Sequence, residues 1–223
     1  MKLNNKCENK IGNEKNTILF GFGPHAKRIY INLLKENNLP LDILVDLKSK
    51  ESELNNNNEL SNIKLFFIED SEKDKRELSS SNYHKLQQIC MEHNIKYAII
   101  STEPKSHFAY ITFCLENNIN ILIDKPITVP TNFNNLDWYK EIYQDYKKIY
   151  NLYKNRDLKF YIMCQRRAHN GFLLAFDILQ KTMKDYNIPI TYLDIYHSDG
   201  VLNMPIDFIN RENHPYKYGY GKL

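Results

Sequence analysis

The sequence predicts an α/β protein built on a doubly wound parallel sheet with helices on both faces. Short, continuous apolar runs alternate with amphipathic segments, and strands that are buried on both faces of a parallel sheet produce such runs. The first run ends in a glycine-rich turn that opens a helix. Hydrophobic residues make up 42% and charged residues 26% of the 223 residues, which is typical of a globular protein.

The individual elements follow from these patterns in chain order. Five apolar runs predict strands at 17–23, 41–46, 63–70, 96–102 and 119–124. Apolar residues at helical spacing predict helices at 24–38, 82–94 and 106–118. The Asn-rich segment 48–62 predicts a mobile surface loop. A long helix then leads into a new, α+β set of elements, namely a helix at 134–155, a strand at 159–165, a helix at 172–187 and a strand at 190–199.

The composition argues against several classes of protein. The net charge of +3 is too small for the clustered basic face of a nucleic-acid-binding protein. No segment reaches the roughly 20 apolar residues of a membrane span, and the polar residues 1–16 lack the apolar core of a secretory signal. The four cysteines are far apart, which favours reduced thiols over a disulfide or a metal site. These features predict a cytoplasmic protein.

The segment 138–155 interleaves aromatic and basic residues, as a module that binds single-stranded nucleic acid would also do. Its apolar and aromatic residues follow a helical period: Tyr139, Ile142, Tyr143, Tyr146, Ile149, Tyr150 and Tyr153. We therefore interpret the segment as an amphipathic helix that packs on the sheet, and we expect no nucleic acid partner.

The turn after the first strand has the pattern G-x-G-x-x-A, formed by Gly21, Gly23 and Ala26 with Pro24 and His25 between them. Gly21 permits a tight turn, Gly23 lets the backbone approach a diphosphate, and Ala26 allows the helix to pack closely on the strand. The N-terminus of the helix supplies N–H donors to the anion. The pattern predicts a Rossmann-type sheet that binds a dinucleotide, although glycine-rich turns also occur without a ligand.

Asp46 closes the second strand, 25 positions after Gly21. An acid at this place in a dinucleotide-binding sheet accepts hydrogen bonds from the ribose hydroxyls. Because a carboxylate repels a 2′-phosphate, Asp46 favours NAD over NADP, and the nearby Lys48 softens that preference. The alternative is that Asp46 only caps the end of its strand.

Three segments together resemble the Gfo/Idh/MocA family of nicotinamide-dependent oxidoreductases: ILFGFGPHAKRI, YAIISTEPKSHFAYITFCLENNINILIDKPIT and KFYIMCQRRAHNGF. The resemblance covers residues 17–200 and is most specific between 97 and 128. Thr102 and His107 keep the family's spacing, and Asp124-Lys125-Pro126 stands where the family has Glu-Lys-Pro.

The resemblance implies that Lys125 is the catalytic residue, which lies beside the nicotinamide and helps to move the proton of the substrate hydroxyl. Ligands of open parallel sheets bind at the carboxyl ends of the strands, and Lys125 follows the fifth strand directly. Pro126 restricts the conformation of Lys125, with the bond between them either trans or cis. The alternative is a solvated surface lysine.

The resemblance also implies cofactor contacts at Ser101, Thr102, Glu103, His107, Asp124, Pro126 and Arg167. Glu103 replaces a residue that is often proline in the family, and Asp124 is shorter than the family's glutamate. For His107 we favour structural support over catalysis. Arg166 and Arg167 follow the strand predicted at 159–165, where the family often places an arginine near the cofactor or substrate. One of the two would then hold an anionic group, and an exposed arginine is the common alternative.

The family's second domain contributes an aspartate and a histidine after a glycine-rich turn, and here the sequence stops at such a turn, 216–223. His214 precedes that turn, so the family's histidine role is not transferred to it. We therefore expect a C-terminally truncated member with four parts: a disordered tail (1–16), a dinucleotide-binding domain (17–128), a linking helix (129–155) and a partial substrate or oligomerisation domain (156–223).

The expected function is transfer of hydride between NAD, or alternatively NADP, and a hydroxyl of a sugar, cyclitol or sugar-nucleotide derivative. The expected partners are this small-molecule substrate and further copies of the chain, joined through the second domain. No nucleic acid, membrane or metal is expected. The alternative function is that of a non-catalytic dinucleotide-binding protein that lacks the Asp and His of the second domain.

Overall fold

The structure is a computed structural model that describes residues 16–132, 136–164 and 169–194. Six strands form one sheet in the order β3-β2-β1-β4-β5-β6, which is the strand order of the Rossmann fold. The pairings of β2 with β3, β1 with β2, β1 with β4 and β4 with β5 are all parallel. The strands are β1 (Thr17–Phe20), β2 (Ile43–Leu47), β3 (Lys64–Ile68), β4 (Tyr97–Ile100), β5 (Asn120–Asp124) and β6 (Phe160–Met163). The predicted α/β fold with a doubly wound parallel sheet is confirmed.

Helices connect consecutive strands. The first connection begins as a π-helical segment, Ala26–Ile31, and continues as α1. The α-helices are α1 (Asn32–Glu36), α2 (Glu51–Asn55), α3 (Ser80–Glu92), α4 (Pro104–Glu116), α5 (Trp138–Tyr153) and α6 (Asn170–Tyr186). Because α4 follows a central strand, it is almost wholly buried, from Pro104 to Leu115 with Lys105 the exception.

Three helices that lead into strands end in the same way. This explains why asparagine followed by leucine or isoleucine recurs at 38–39, 94–95 and 118–119. Asn38, Asn94 and Asn118 follow α1, α3 and α4 and have φ angles of 52°, 49° and 57°. Asparagine is one of the few residues that adopt this left-handed conformation readily. The amide of the next residue donates to a carbonyl five positions back, as from Ile119 to Cys114 at 2.9 Å. Each of these helices therefore ends at its asparagine, two to five positions before the first residue of the next strand.

The segment 48–62 differs from the predicted mobile loop. It contains α2 and short 3₁₀ turns, and it buries Leu54 and Leu60 to 1% and 4% exposure. The two leucines are separated by polar residues, so no apolar period was visible in the sequence. Burial of these two side chains fixes the connection between β2 and β3 on the core.

The strand predicted at 159–165 belongs to the first sheet and not to a second one. Strand β6 lies beside β5, and the amide of Ile121 donates to the carbonyl of Lys159 at 2.8 Å. The boundary between two compact units falls between Ile162 and Met163. Residues 190–194 form no strand, and the rest of the strand predicted at 190–199 lies outside the described residues. The division of the chain into the four predicted parts stays a prediction.

The face of the amphipathic helix α5 that packs on the core is shifted from the one expected and shares only part of its residues, among them Ile149 and Tyr153. Asp145 and Ile149 are buried, and Leu152 and Tyr153 are partly buried. Four of the tyrosines assigned to the packed face are about half exposed or more: Tyr139, Tyr143, Tyr146 and Tyr150. The helical period was correct, but a buried aspartate moved the packed face away from the tyrosines. The expectation of no nucleic acid partner, which rests on this interpretation of the helix and on the small net charge, stays a prediction.

The second unit is described only in part. Helix α6 begins after His169, whose ring Nδ1 accepts a hydrogen bond from the amide of Gly171 at 3.2 Å. Across the described ranges, no helix is both long and apolar enough to cross a membrane. The predicted tail lies outside the described residues, apart from Asn16.

Candidate functional site

The glycine-rich turn lies where β1 meets β4, which is the point at which the strand order reverses. Gly21 has a φ of +86°, and a Cβ added to it would lie 2.7 Å from the carbonyl oxygen of Ser101. Its amide donates to the carbonyl of Val45 at 2.8 Å. Gly21 is therefore required by the backbone of this protein, because the chain passes too close to β4 for any side chain.

At position 23, glycine is expected for a different reason. A Cβ added to Gly23 would have no heavy atom of the protein within 4 Å, so the turn is open at this point. Ala26 is fully buried at the start of the helix, as its predicted packing role requires, whereas Pro24 is exposed. The open turn fits a diphosphate, which needs close access to the backbone.

Asp46 ties β2 to the glycine-rich turn. Its Oδ2 accepts a hydrogen bond from the amide of Phe22 at 2.8 Å, and its Oδ1 accepts one from the amide of Leu47 at 2.8 Å. Lys50 Nζ lies 3.4 Å from Oδ2, and only 6% of the Asp46 side chain is exposed. Lys48, which was expected to soften the charge of Asp46, instead pairs with Glu51 at 2.7 Å. The carboxylate is thus largely engaged within the protein, and its predicted ribose contact stays a prediction.

A second carboxylate, Asp124, collects three side chains at the end of β5. Its Oδ1 accepts a hydrogen bond from the hydroxyl of Tyr30 at 2.5 Å, and its Oδ2 accepts one from Ser101 at 2.6 Å. Nε2 of His25 lies 3.3 Å from Oδ1. Asp124 therefore reaches β4, the glycine-rich turn and the first helix, even though it is shorter than the family's glutamate.

These contacts set the charges of the cluster. Burial would raise the pKa of Asp124, but hydrogen bonds from His25, Ser101 and Tyr30 outweigh it and hold that pKa below its usual range. Burial, followed by the hydrogen bond to Asp124 and its charge, raises the pKa of Tyr30 far above its usual range. Asp124 is ionised and Tyr30 is protonated across the physiological pH range, as a donor–acceptor pair requires.

Lys125 follows this cluster directly and is exposed at the carboxyl edge of the sheet. The peptide bond between Lys125 and Pro126 is cis. His107 lies fully buried behind it, with Nδ1 2.8 Å from the carbonyl oxygen of Pro126 and Nε2 3.1 Å from that of Thr102. The ring bridges the ends of β4 and β5, which is a position that supports the site from beneath.

The chain after Pro126 is held by a buried ion pair. The guanidinium of Arg76 pairs with Asp145 of α5, and its Nη1 donates to the carbonyl of Val129 at 3.0 Å. Thr128 donates its hydroxyl to the same Asp145 carboxylate. The segment that carries Lys125 is therefore attached at both ends, by Asp124 before it and by Arg76 after it.

The structure brings most of the predicted site residues to one edge of the sheet. Ser101 and Thr102 directly follow β4, Glu103 precedes α4, and the segment 124–126 begins at the last residue of β5. Arg167 lies outside the described residues, as do His214 and the turn at 216–223. In the described ranges, no group of three or more His, Cys, Asp or Glu side chains is arranged to hold a metal ion.

Sequence reasoning missed two residues of this edge. Tyr30 was assigned only to the apolar face of the first helix, and Arg76 lies in a polar segment with no motif. For Tyr30 a signal was present, because a tyrosine on a buried face needs a partner for its hydroxyl. For Arg76 the sequence carried no such signal.

Substitution of the two glycines of the turn should affect stability to very different extents. We expect Gly21→Ala to lower the free energy of unfolding by about 2–3 kcal/mol, because it combines an unfavourable φ with a backbone clash. Gly23→Ala is the matched control and should change it by less than about 1 kcal/mol. Urea unfolding of both variants measures the difference, and equal losses would contradict it.

The buried ring of His107 should make stability depend on pH. Burial lowers the pKa of His107 from its ordinary value of 6.5 by more than its contacts with the Pro126 and Thr102 carbonyls raise it. Below pH 6.5 the unfolded chain takes up a proton on this histidine that the folded protein does not yet take up. The free energy of unfolding therefore decreases as the pH is lowered. The contribution is complete above pH 6.5 and is lost as pH falls towards the lowered pKa of the folded state.

The slope of this loss approaches about 1.4 kcal/mol per pH unit for one proton. Urea unfolding between pH 7 and pH 5 measures it, with His107→Gln as the comparison because glutamine does not titrate. The variant should show a shallower dependence on pH. Identical slopes for the two proteins would show that His107 does not carry the effect.

Comparison with known proteins identifies the family of this domain. The Gfo/Idh/MocA family model, described as an oxidoreductase family with an NAD-binding Rossmann fold, matches residues 47–164, which is more than half of the chain. The match begins after the glycine-rich turn, so the evidence for that turn is its geometry. A comparison with curated protein sequences gave no match.

Several solved structures share the fold. The WlbA dehydrogenase from Thermus thermophilus, in complex with NAD and alpha-ketoglutarate, has a TM-score of 0.54 at 18% identity, over 75% of this chain and 47% of that one. A 3-ketoreductase from Actinomadura kijaniata, in complex with NADP and TDP-benzene, has a TM-score of 0.50 at 11% identity, over 75% and 42%.

A putative oxidoreductase from Bacillus subtilis, yvaA, has a TM-score of 0.50 at 11% identity, over 77% of this chain and 40% of that one. This chain thus spans less than half the length of each of these structures. The family match and the Rossmann strand order agree with each other. The chain belongs to the Gfo/Idh/MocA family of oxidoreductases, and the part that matches is the family's NAD-binding Rossmann domain.

Proposed function

We propose that this protein is an oxidoreductase that binds NAD or NADP along the carboxyl edge of its sheet and acts on a hydroxyl or ketone of a sugar, cyclitol or sugar-nucleotide derivative. The observation that carries the proposal is the position of Lys125. This exposed amine follows β5 at the edge where open parallel sheets bind their ligands, beside the open glycine-rich turn.

Different residues would contact different parts of the cofactor. The open backbone at Gly23 accepts the diphosphate, and Asp46, which is joined to the same turn through Phe22, lies at the end of β2 where the adenosine ribose would be read. Ser101 and Thr102 directly follow β4 and would border the nicotinamide half. The cofactor, when bound, supplies the acceptor or donor of the hydride.

Lys125 holds or takes the proton of the substrate hydroxyl. A lysine transfers protons near neutral pH only when its amine is desolvated or lies beside another cation. Lys125 is exposed in this structure, so the bound ring and substrate would have to remove water from it. The carboxylate of Asp124 and the buried ring of His107 hold the backbone on each side of Lys125 in place.

The substrate class is supported by the relatives. One structure of the Thermus thermophilus dehydrogenase contains NAD and UDP-GlcNAcA, and the Actinomadura 3-ketoreductase contains TDP-benzene. Both ligands carry a nucleoside diphosphate. A nucleotide-linked sugar is therefore the first substrate class to test, followed by free polyols. A homo-oligomer formed through residues 156–223 stays part of the proposal.

The test has two stages. Titration of the purified protein with NADH and NADPH, followed by nucleotide fluorescence, should give saturable binding of at least one of them. Reduction of NAD or NADP is then measured with a panel of nucleotide sugars and polyols. Binding without turnover would favour the non-catalytic alternative, and no binding of either nucleotide would exclude both functions.

Lys125→Ala separates the chemistry from the binding. We expect the variant to lose turnover with a responsive substrate while its affinity for the dinucleotide stays within about tenfold, because Lys125 acts on the substrate proton. Lys159→Ala is the matched control, since Lys159 is an exposed lysine at the amino end of β6, on the opposite edge of the sheet. Equal loss of turnover and nucleotide affinity in Lys125→Ala would contradict the role.

We expect Lys50 to increase the affinity of the protein for NADP. Its amine lies 3.4 Å from the Asp46 carboxylate and offsets the charge that would repel a 2′-phosphate. We expect Lys50→Gln to weaken NADPH binding about fivefold while NADH binding is nearly unchanged, as for the loss of one partly exposed charge contact. Lys48→Gln, whose lysine is paired with Glu51, should leave the ratio of the two affinities unchanged. An unaltered ratio in Lys50→Gln would show that Lys50 does not act there.

A further inference from the structure

One side chain of the cluster around Asp124, that of His25, is only partly covered by the protein and can also contact a ligand. Tyr30 and Ser101 are buried and donate their hydroxyls to Oδ1 and Oδ2 at 2.5 Å and 2.6 Å. His25 also contacts Oδ1, at 3.3 Å, but 39% of its side chain is exposed. A polar ring that is anchored at one edge and open at the other is suited to hold a ligand.

The anchored edge can be assigned. Asp124 is ionised and can only accept hydrogen bonds, so Nε2 of His25 is the nitrogen that carries the proton towards it. The ring also packs edge-to-face on Tyr30, with centroids 5.8 Å apart and an interplanar angle of 79°. With Nε2 and one edge of the ring fixed, Nδ1 lies on the edge away from Asp124.

His25 is also close in the chain to the open part of the glycine-rich turn. His25 comes two residues after Gly23, whose Cβ position has no protein atom within 4 Å. His25 thus belongs to the same turn, and its side chain is partly exposed there. No other contact of His25 is needed to hold the turn, because Gly21 and Phe22 are fixed by β2 through Val45 and Asp46.

We propose that Asp124 is a positioning residue that orients the His25 ring, and that the Nδ1 edge of His25 so oriented contacts the diphosphate of the bound dinucleotide. This inference rests on the proposed binding of NAD or NADP. A ring that is already held in place loses little rotamer freedom when the ligand arrives. In the neutral ring with its proton on Nε2, Nδ1 cannot donate, so the contact requires the imidazolium form, which donates from Nε2 to Asp124 and from Nδ1 to a phosphate oxygen. Such a charge-assisted hydrogen bond is stronger than a neutral one.

The experiment measures the affinity for NADH, or for NADPH if that binds better, by fluorescence titration of four proteins. His25→Ala should weaken binding about tenfold through the lost contact. Asp124→Asn, which keeps the shape of the side chain and removes its charge, should weaken binding three- to tenfold. The double variant should be no more than about twofold weaker than His25→Ala alone, because the two residues act through one contact.

Two results of the titration would overturn the proposal. A double variant that loses the product of the two single factors would show that Asp124 and His25 act separately. Unchanged binding in His25→Ala would show that the ring does not touch the ligand. His84→Ala is the matched control, because His84 is an exposed histidine on α3 and should bind the nucleotide as the wild type does.

A spectroscopic measurement tests the positioning without any ligand. Imidazole ¹⁵N shifts at pH 8 should place the proton of His25 on Nε2 in the wild type, with its signals identified by their loss in His25→Ala. Asp124→Asn should give a mixture of the two tautomers. A wild-type proton on Nδ1 would overturn the orientation, and this measurement still decides if Asp124→Asn fails to fold.

The two proposals fail in different ways. If the wild type binds neither NADH nor NADPH, the proposed function is wrong, and so is the ligand contact of His25. If the wild type binds and His25→Ala binds equally well, the function stands and only the present inference is wrong.

Discussion

The carboxylate of Asp124 accepts hydrogen bonds from Ser101, directly after β4, and from Tyr30 on the first helix, and it also contacts His25 of the glycine-rich turn. Three parts of the chain that are distant in sequence, at 25–30, 101 and 124, are thereby joined at the residue before Lys125. Because an ionised carboxylate that is partly buried must be satisfied by donors, each of these side chains is fixed in position by the others. The arrangement of the candidate site depends on this one group, and the free energy of its desolvation is offset by the hydrogen bonds that define the site.

The backbone imposes a second constraint on the same edge. Gly21 lies so close to the carbonyl of Ser101 that β1 and β4 leave no room for a side chain between them. Behind this contact, His107 bridges the carbonyls of Thr102 and Pro126, and beyond it Arg76 holds the chain through Val129 and Asp145. The loops at the carboxyl edge are therefore tied to one another as well as to the strands. This explains how exposed residues such as Lys125 and His25 keep a defined place.

Membership of the Gfo/Idh/MocA family rests on the match over residues 47–164, which covers the sheet from the end of β2 to β6. This chain covers only 40–47% of the length of each compared structure. What the described residues contain is the nucleotide half of such an oxidoreductase. Substrate choice and turnover are properties of a whole enzyme and are therefore proposals here. Binding of the dinucleotide is a property of this half and can be tested on the chain as it is.

The sequence by itself determined the alternation of strands and helices, the glycine pattern at 21–26 and the place of Lys125 at a strand end, because these features depend on local periodicity and on neighbours in the chain. Only the tertiary structure decided which partners the polar side chains take. Tyr30 and Asp124 are 94 positions apart, and nothing near either residue indicates the other. The same holds for Asp46, which contacts the amide of Phe22, and for α5, whose buried Asp145 moved the packed face away from the tyrosines. A hydrogen bond or an ion pair between distant residues leaves no periodic trace in a sequence, whereas burial of a regular helix or strand does.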